Sequence, residues 1–425
     1  MSTEFTLSVD LLEQTDSWYF TLDSQDKKEY LYKQRTGLLQ RKTNRNQINK
    51  SIELSSLSDA KSLVTPPLPA GSLKMRASEM VFHPDKILRE NELVLKTLQE
   101  LNTAEWKMIV RANHTLRIIA KPGCKEKKNQ FTFFSLLIKL KLNGARNVIE
   151  VGEGSVHALK FNQNGLSSRL QKMVENHTYS KRCPFSDKVP VVLNSGDGAI
   201  IFHELLGHSL EADYIYRRQS PISRGDLNKP IVSDNVTLVT QETNDTFFKG
   251  IVCDDEGEAP GSSLLVEKGV LRNFIADRRC QEQLKLEHCG HARVEDFSKI
   301  PMPRMFALYL KPGGYHPQEL IAATKSGVYA SEFGEGKVFF DKDLFYFHIR
   351  EAWLIQNGKL TEPLGSITVR GSIREVLNSV DMVANDFRLD KGISYCFKNG
   401  QTINVRVGQP TVKINNLYVT GEIDD

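Results

Sequence analysis

The stretch Val189-Pro190-Val191-Val192-Leu193-Asn194-Ser195-Gly196-Asp197-Gly198-Ala199-Ile200-Ile201-Phe202-His203-Glu204-Leu205-Leu206-Gly207-His208 decides how this chain is read. Its first five residues are apolar and rich in β-branched side chains, the pattern of a buried strand. Asn194 to Gly198 breaks that pattern as a turn. Ser195 or Asp197 can cap a helix that opens with Ala199, Ile200, Ile201 and Phe202. Strand, turn and helix are therefore predicted, and the helix carries two imidazoles and a carboxylate.

Neutral imidazole nitrogens suit Zn²⁺, and a neighbouring carboxylate can take a proton from an activated water. The familiar spacing for this chemistry is H-E-x-x-H, which sets two histidines four apart on one helical face. Here His203 and His208 stand five apart. On a regular α-helix that is roughly 140° of rotation, too far round to share one ion. Either the pair is accidental, or the helix is overwound or bulged locally, and a π-type bulge, which inserts one residue into a turn, would restore a common face. Gly207 offers backbone freedom for such a bulge. Glu211 and Asp213 follow, read either as groups that orient the imidazoles or as a solvated helix end.

A third ligand has to come from elsewhere. The six cysteines are Cys124, Cys183, Cys253, Cys280, Cys289 and Cys396. None forms a CxxC pair, which argues against a four-cysteine structural zinc site. Met1 is followed by polar and acidic residues rather than a basic start and an apolar run, so a secretory signal is not expected. The expected compartment is the cytoplasm, where thiols stay reduced. Cys396 has turn-forming and polar neighbours from Ser394 to Gly400, but composition does not rank it above the other five.

The segment His203 to Asp213 resembles the metal-binding helix of the TldD/PmbA family of metallopeptidases. Further segments occur in the family's order. Asp254-Asp255-Glu256-Gly257 precedes Leu265 to Leu271. Ile300 to Met305 precedes Leu310 to Gly313. Gly327-Val328-Tyr329 and Glu351 to Ile355 come next, then Cys396 to Gln401 and Val407 to Thr411. The resemblance covers about residues 185 to 422, over half of the chain.

That resemblance implies His203, His208 and Cys396 as ligands of one Zn²⁺ per chain, and Glu204 as the catalytic base. It implies a peptidase acting on unfolded or flexible peptides, among them leader peptides of modified natural products. It also implies a homodimer, or a heterodimer with a paralogue of the same family. Glu211, Asp213, His291 and Arg304 are candidates for orienting ligands or meeting substrate. Arg293, Tyr309 and Tyr329 join His291 and Arg304 as candidates for stabilising an oxyanion. The runner-up function is a catalytically silent, zinc-containing scaffold or regulatory subunit of a peptide-processing complex.

Composition sets outer limits. The chain has 425 residues and a net charge of +4. No apolar run is long enough to span a bilayer as a helix. A basic stretch holds Lys27, Lys28, Lys33, Arg35, Arg41, Lys42, Arg45 and Lys50, and it reads as a solvated surface in preference to a nucleic-acid face. Trp18 to Leu22 and Tyr30 to Tyr32 read as strands, and residues 51 to 78, with Pro66-Pro67-Leu68-Pro69, as a linker. Pro84 to Leu101 and Leu166 to Asn176 read as helices. Trp106 to Val110 and Leu116 to Ala120 read as β, as do the runs on either side of Asn143-Gly144, a hairpin signal. The fold class is therefore α+β. An N-terminal α+β domain is expected at residues 1–180. A β-rich C-terminal domain is expected at 181–425, with a large antiparallel sheet or barrel carrying the metal-binding helix.

Overall fold

The computed structural model describes residues 90–101, 103–120, 127–142, 148–155, 161–240, 251–260, 264–288, 290–295 and 299–421. It also gives the backbone of the strands Glu4–Phe5, Trp18–Lys33, Leu39–Arg45, Asn49–Leu54 and Met75–Arg76. The proline-rich segment at 66–69 and the side chains of the basic stretch lie outside the described residues.

Alternation builds the N-terminal sheet. Strands run in the order Leu39–Arg45, Trp18–Lys33, Thr103–Ala120, Lys127–Leu142, Val148–Ser155, all antiparallel, and Asn49–Leu54 also pairs with Trp18–Lys33. The two β runs read at 106–110 and 116–120 are one continuous strand. Lys127–Leu142 and Val148–Ser155 pair as the predicted hairpin partners. Leu136, Ile138, Leu140 and Leu142 recur every second residue and are buried, so they share one face. The helices Glu92–Glu100 and Gln163–Tyr179 cover that face with Val94, Leu98, Leu166 and Leu170. The first helix is shorter than the pattern from Pro84 suggests, and residues 84–89 lie outside the described set.

From Ser186 onward β-structure dominates. Five strands close a ring: Ser186–Leu193, Val412–Gly421, Ile367–Gly371, Leu344–Gln356 and Ser326–Phe339, which returns to the first. The barrel is antiparallel except where Ser326–Phe339 meets Ser186–Leu193 in parallel. Lys359–Leu364 and Val380–Val383 pair on its outside. A second sheet has the order Val270–Leu271, Leu264–Glu267, Leu238–Thr240, Ala307–Leu310, Arg406–Gln409, Arg388–Leu389.

The helical segment beginning at Ala199 shares one core with both sheets. Ile201, Phe202, Leu205, Leu206 and Leu210 are at most 1% exposed and pack among Val191, Val328, Met305 and Leu308. Wrapping a helix in apolar contact on nearly every side fixes its rotation, which suits an element that must aim side chains. Among the described residues no helix is long and apolar enough to cross a membrane.

Candidate metal centre

The turn after strand Ser186–Leu193 is built as the sequence suggests, with one substitution of roles. Gly196 has φ +83, a conformation glycine adopts without strain. Neither Ser195 nor Asp197 caps the helix. The side chain of Asn194 instead accepts the N–H of Gly198 at 3.2 Å, and Asp197 pairs with Lys391 at 2.8 Å.

The helix takes the bulged form of the two that spacing allows. Ala199–Phe202 is α, His203–Gly207 is a π turn, and His208–Leu210 is a 3₁₀ turn. The N–H of His208 donates to the carbonyl of His203, the five-residue step that defines the bulge. The two rings then face each other, with centroids 4.9 Å apart and planes at 79°. Gly207 itself keeps ordinary helical angles, φ −55 and ψ −55. Its need is for space: a Cβ there would lie 2.4 Å from Met305 Sδ and 3.0 Å from Leu308 Cδ2.

Cys396 reaches this pair from the hairpin Tyr395–Lys398 and Gln401–Asn404. Burial alternates along the first strand, so Cys396 and Lys398 point inward while Tyr395 and Phe397 point out. The Cys396 sulfur lies 3.2 Å from His208 Nε2. Donor atoms of His203, His208 and Cys396 all fall within 4.8 Å of one another, and all three residues are buried. Among the described residues, neither ring nitrogen of His203 has a hydrogen-bond partner that meets ordinary geometry. A buried imidazole with an unpaired donor and acceptor is costly, and an ion at the focus of the three residues would satisfy one of those nitrogens. Two nitrogens and one sulfur form a donor set that a borderline-soft divalent ion accepts, with a fourth position left open.

Electrostatics favours the thiolate. Burial opposes a thiolate at Cys396, but the neighbouring rings of His208 and His203 outweigh it and hold the thiol well below its ordinary value. Metal binding requires that form. Burial also opposes charge on His208, yet Glu211 and Cys396 push its ring well above the usual range. Glu211 accepts from His208 Nδ1 at 2.7 Å, the contact that fixes an imidazole's orientation and leaves Nε2 to face the sulfur. Burial disfavours the Glu211 carboxylate, but His208 and Lys398 hold it down at about 2.

The remaining candidates scatter. Asp213 lies behind Glu211 and accepts from Lys398 Nζ at 2.6 Å. His291 is buried against Thr240 at 3.2 Å, and burial lowers its pKa to about 4. Arg304 is fully buried and donates to the carbonyl of Cys396 at 2.6 Å, so it holds the hairpin. Arg293 donates to the carbonyls of Met305 and Asn404, and Tyr309 packs on Phe387. Tyr329 sits in the barrel wall among Val192 and Met382. None of these six side chains lines the cleft described next.

Glu204 and His208 open into a cleft of about 850 Å³. The Glu204 carboxylate is 3.9 Å from His208 Nε2 and its side chain is 26% exposed, so it can meet both solvent and a ligand. Part of the lining is aromatic, with Phe333, Phe339, Phe340, Tyr395 and Phe397. Much of the charged lining is internally paired. Arg169 meets Glu332 at 3.7 Å, Lys391 meets Asp197 and Glu332, and Arg350 meets Glu150 at 2.8 Å. Tyr214 and Lys398 are the site residues that the sequence did not single out. The one clue to Lys398 was its place two residues beyond Cys396, on the same face of any strand.

Residues 186–421 match the family model of the PmbA/TldA metallopeptidase C-terminal domain. The chain belongs to the TldD/PmbA family. It is 33% identical over 272 residues to a metalloprotease TldD homolog of Haemophilus influenzae, a match covering 64% of this chain and 55% of that relative. It is 30% identical over 269 residues to a zinc metalloprotease TldD homolog of Saccharolobus solfataricus, covering 62% and 58% of the two chains. The chain thus spans about half the length of the curated relatives it matches. The likeness in fold reaches further than the likeness in sequence. TldE from Thermococcus kodakarensis aligns with a TM-score of 0.72 at 14% identity, over 96% of this chain and 97% of the other. The likeness in fold thus extends over the N-terminal sheet, where the sequence is only faintly family-like.

Proposed function

We propose that this chain is a zinc-dependent peptidase that hydrolyses peptide bonds in unfolded or flexible peptides. His203, His208 and Cys396 hold one ion, and Glu204 serves as general base. The observation that carries this reading is the approach of three buried donor atoms to within 4.8 Å, beside a carboxylate that opens into a cleft. The zinc metalloprotease name of a relative supports the choice of metal.

Bound there, zinc would polarise a scissile carbonyl and make a water acidic near neutral pH. Glu204 would take a proton from the attacking water and return it to the departing amine. Glu211 keeps the His208 ring in place during both transfers. Apolar side chains in the cleft receive the substrate's own side chains. An extended chain suits such a cleft, because its backbone can pair with strand edges with little demand on sequence. Assembly with a second copy, or with a paralogue of the family, belongs to the same reading.

Metal analysis and a peptide digest, run on wild type and Glu204→Gln, test it. The variant is expected to keep one zinc per chain while cleavage falls by about 10²–10⁴-fold. Undiminished cleavage by Glu204→Gln, or a wild type that binds no metal, would sink the proposal.

A further inference from the structure

We propose that Lys398 is a positioning residue that sets the reach between the thiol of Cys396 and the imidazole of His208. The inference rests on the metal-site reading above. Its support is the way Lys398, Glu211, Asp213 and Tyr214 are arranged behind the candidate ligands.

Lys398 is a fully buried ammonium, on the same inward face of its strand as Cys396. Its Nζ lies 2.9 Å from Glu211 and 2.6 Å from Asp213, both on the segment that carries the imidazoles. A third donation goes to the carbonyl of Pro303 at 3.1 Å, and the ring of Tyr214 lies 4.3 Å from the same nitrogen. The ammonium's three N–H donors are therefore matched by three oxygen acceptors, with an aromatic face as a fourth contact. Glu211 uses the same oxygen, Oε2, for Lys398 and for His208 Nδ1. One carboxylate oxygen thus joins the strand bearing the sulfur to the ring that faces the sulfur.

Covalent connection cannot supply this constraint. Cys396 and His208 are 188 residues apart, and the hairpin makes its own two-stranded sheet outside the larger ones. Besides Lys398, Arg304 holds the hairpin's backbone through the carbonyls of Cys396 and Gln401, Arg293 through that of Asn404, and Glu295 through the N–H of Thr402. Those contacts hold the hairpin's backbone, whereas the Lys398 side chain joins it to the carboxylate that meets the His208 ring. A displacement of 1 Å at this point is enough to spoil a tetrahedral donor set.

The test compares wild type with Lys398→Met and with Lys398→Met/Asp213→Asn. The double variant removes one charge of each sign, because the single one leaves two buried carboxylates on one side. Each protein is checked for folding by circular dichroism and thermal melting. Zinc affinity is then measured by competition with a chromophoric chelator, and cobalt(II) is added to read the thiolate-to-metal charge-transfer band. A positioning role predicts a tenfold or greater loss of zinc affinity in folded variant, with a weakened or shifted band. A lower melting temperature with wild-type zinc affinity and an unchanged band would mean a structural ion pair only and would overturn the inference. A wild type that binds zinc but cleaves no peptide would remove the proposed activity and leave the positioning role standing. A wild type that binds no metal would remove both.

Discussion

At the scale of single residues, the site depends as much on what is absent as on what is present. Gly207 shows this. Any side chain at that position runs into Met305 and Leu308, because the π turn presses the helix backbone against strand Ala307–Leu310 and the chain leading into it. Gly207→Ala is expected to cost about 1–3 kcal/mol through overpacking. It should also displace His208, which follows it directly. Urea denaturation measures the first effect and zinc competition the second. Adding Met305→Ala should restore a good part of both, since the sulfur is the nearest obstacle. Wild-type stability in Gly207→Ala alone would refute the close-approach account. The glycine was legible as a requirement of the motif, but its reason was not. Sequence spacing suggested backbone freedom, whereas the clash partners lie about a hundred positions away and come near only in the folded chain.

At the scale of elements, the hairpin Tyr395–Asn404 divides two jobs between its faces. The inward face brings Cys396 and Lys398, and the outward face presents Tyr395 and Phe397 to the cleft. Phe397 is 71% exposed, so its removal should change stability by no more than about 0.5 kcal/mol. Phe397→Ala is nevertheless expected to lower kcat/KM about tenfold for peptides with aromatic or aliphatic side chains near the scissile bond, since lost apolar contact of this size discriminates by 1–3 kcal/mol. Peptides with acidic or basic side chains there should lose little. Equal losses for all peptides would argue that Phe397 takes no part in selection. The strand–turn–helix unit and the N-terminal hairpin could be read from sequence because period and turn chemistry are local properties. The hairpin's role could not, because its alternation of Cys396 and Lys398 with Tyr395 and Phe397 has meaning only once the helix lies across it.

At the scale of the whole molecule, the cleft forms where the N-terminal sheet approaches the loop before the hairpin. Gly154 donates to the carbonyl of Lys391, and a Cβ at Gly154 would fall 1.9 Å from Gly392 O. Asp390 anchors that loop, accepting from Ser394 Oγ and Gly392 N and pairing with Arg406 at 2.8 Å. Burial, only partly offset by Arg406, pushes the Asp390 carboxyl up to about 6. The folded chain therefore holds this proton more tightly than the unfolded one. The stability so gained is complete below pH 3.8 and lost as pH rises through 6, a change of about 1–3 kcal/mol. Urea denaturation between pH 4 and pH 7 should show that slope in wild type relative to Asp390→Asn, and a difference between the two that does not vary with pH would contradict it. Ring closure of the barrel was beyond sequence reading, since no local pattern tells Ser186 that its partner is Thr420. That same pairing carries a consequence for biogenesis. During translation the stave Val412–Gly421 emerges after the two histidines and the cysteine, yet the ring cannot shut without it. A nascent chain stalled before residue 412 is expected to expose an open sheet, so assembly of the candidate site should be among the last events of folding.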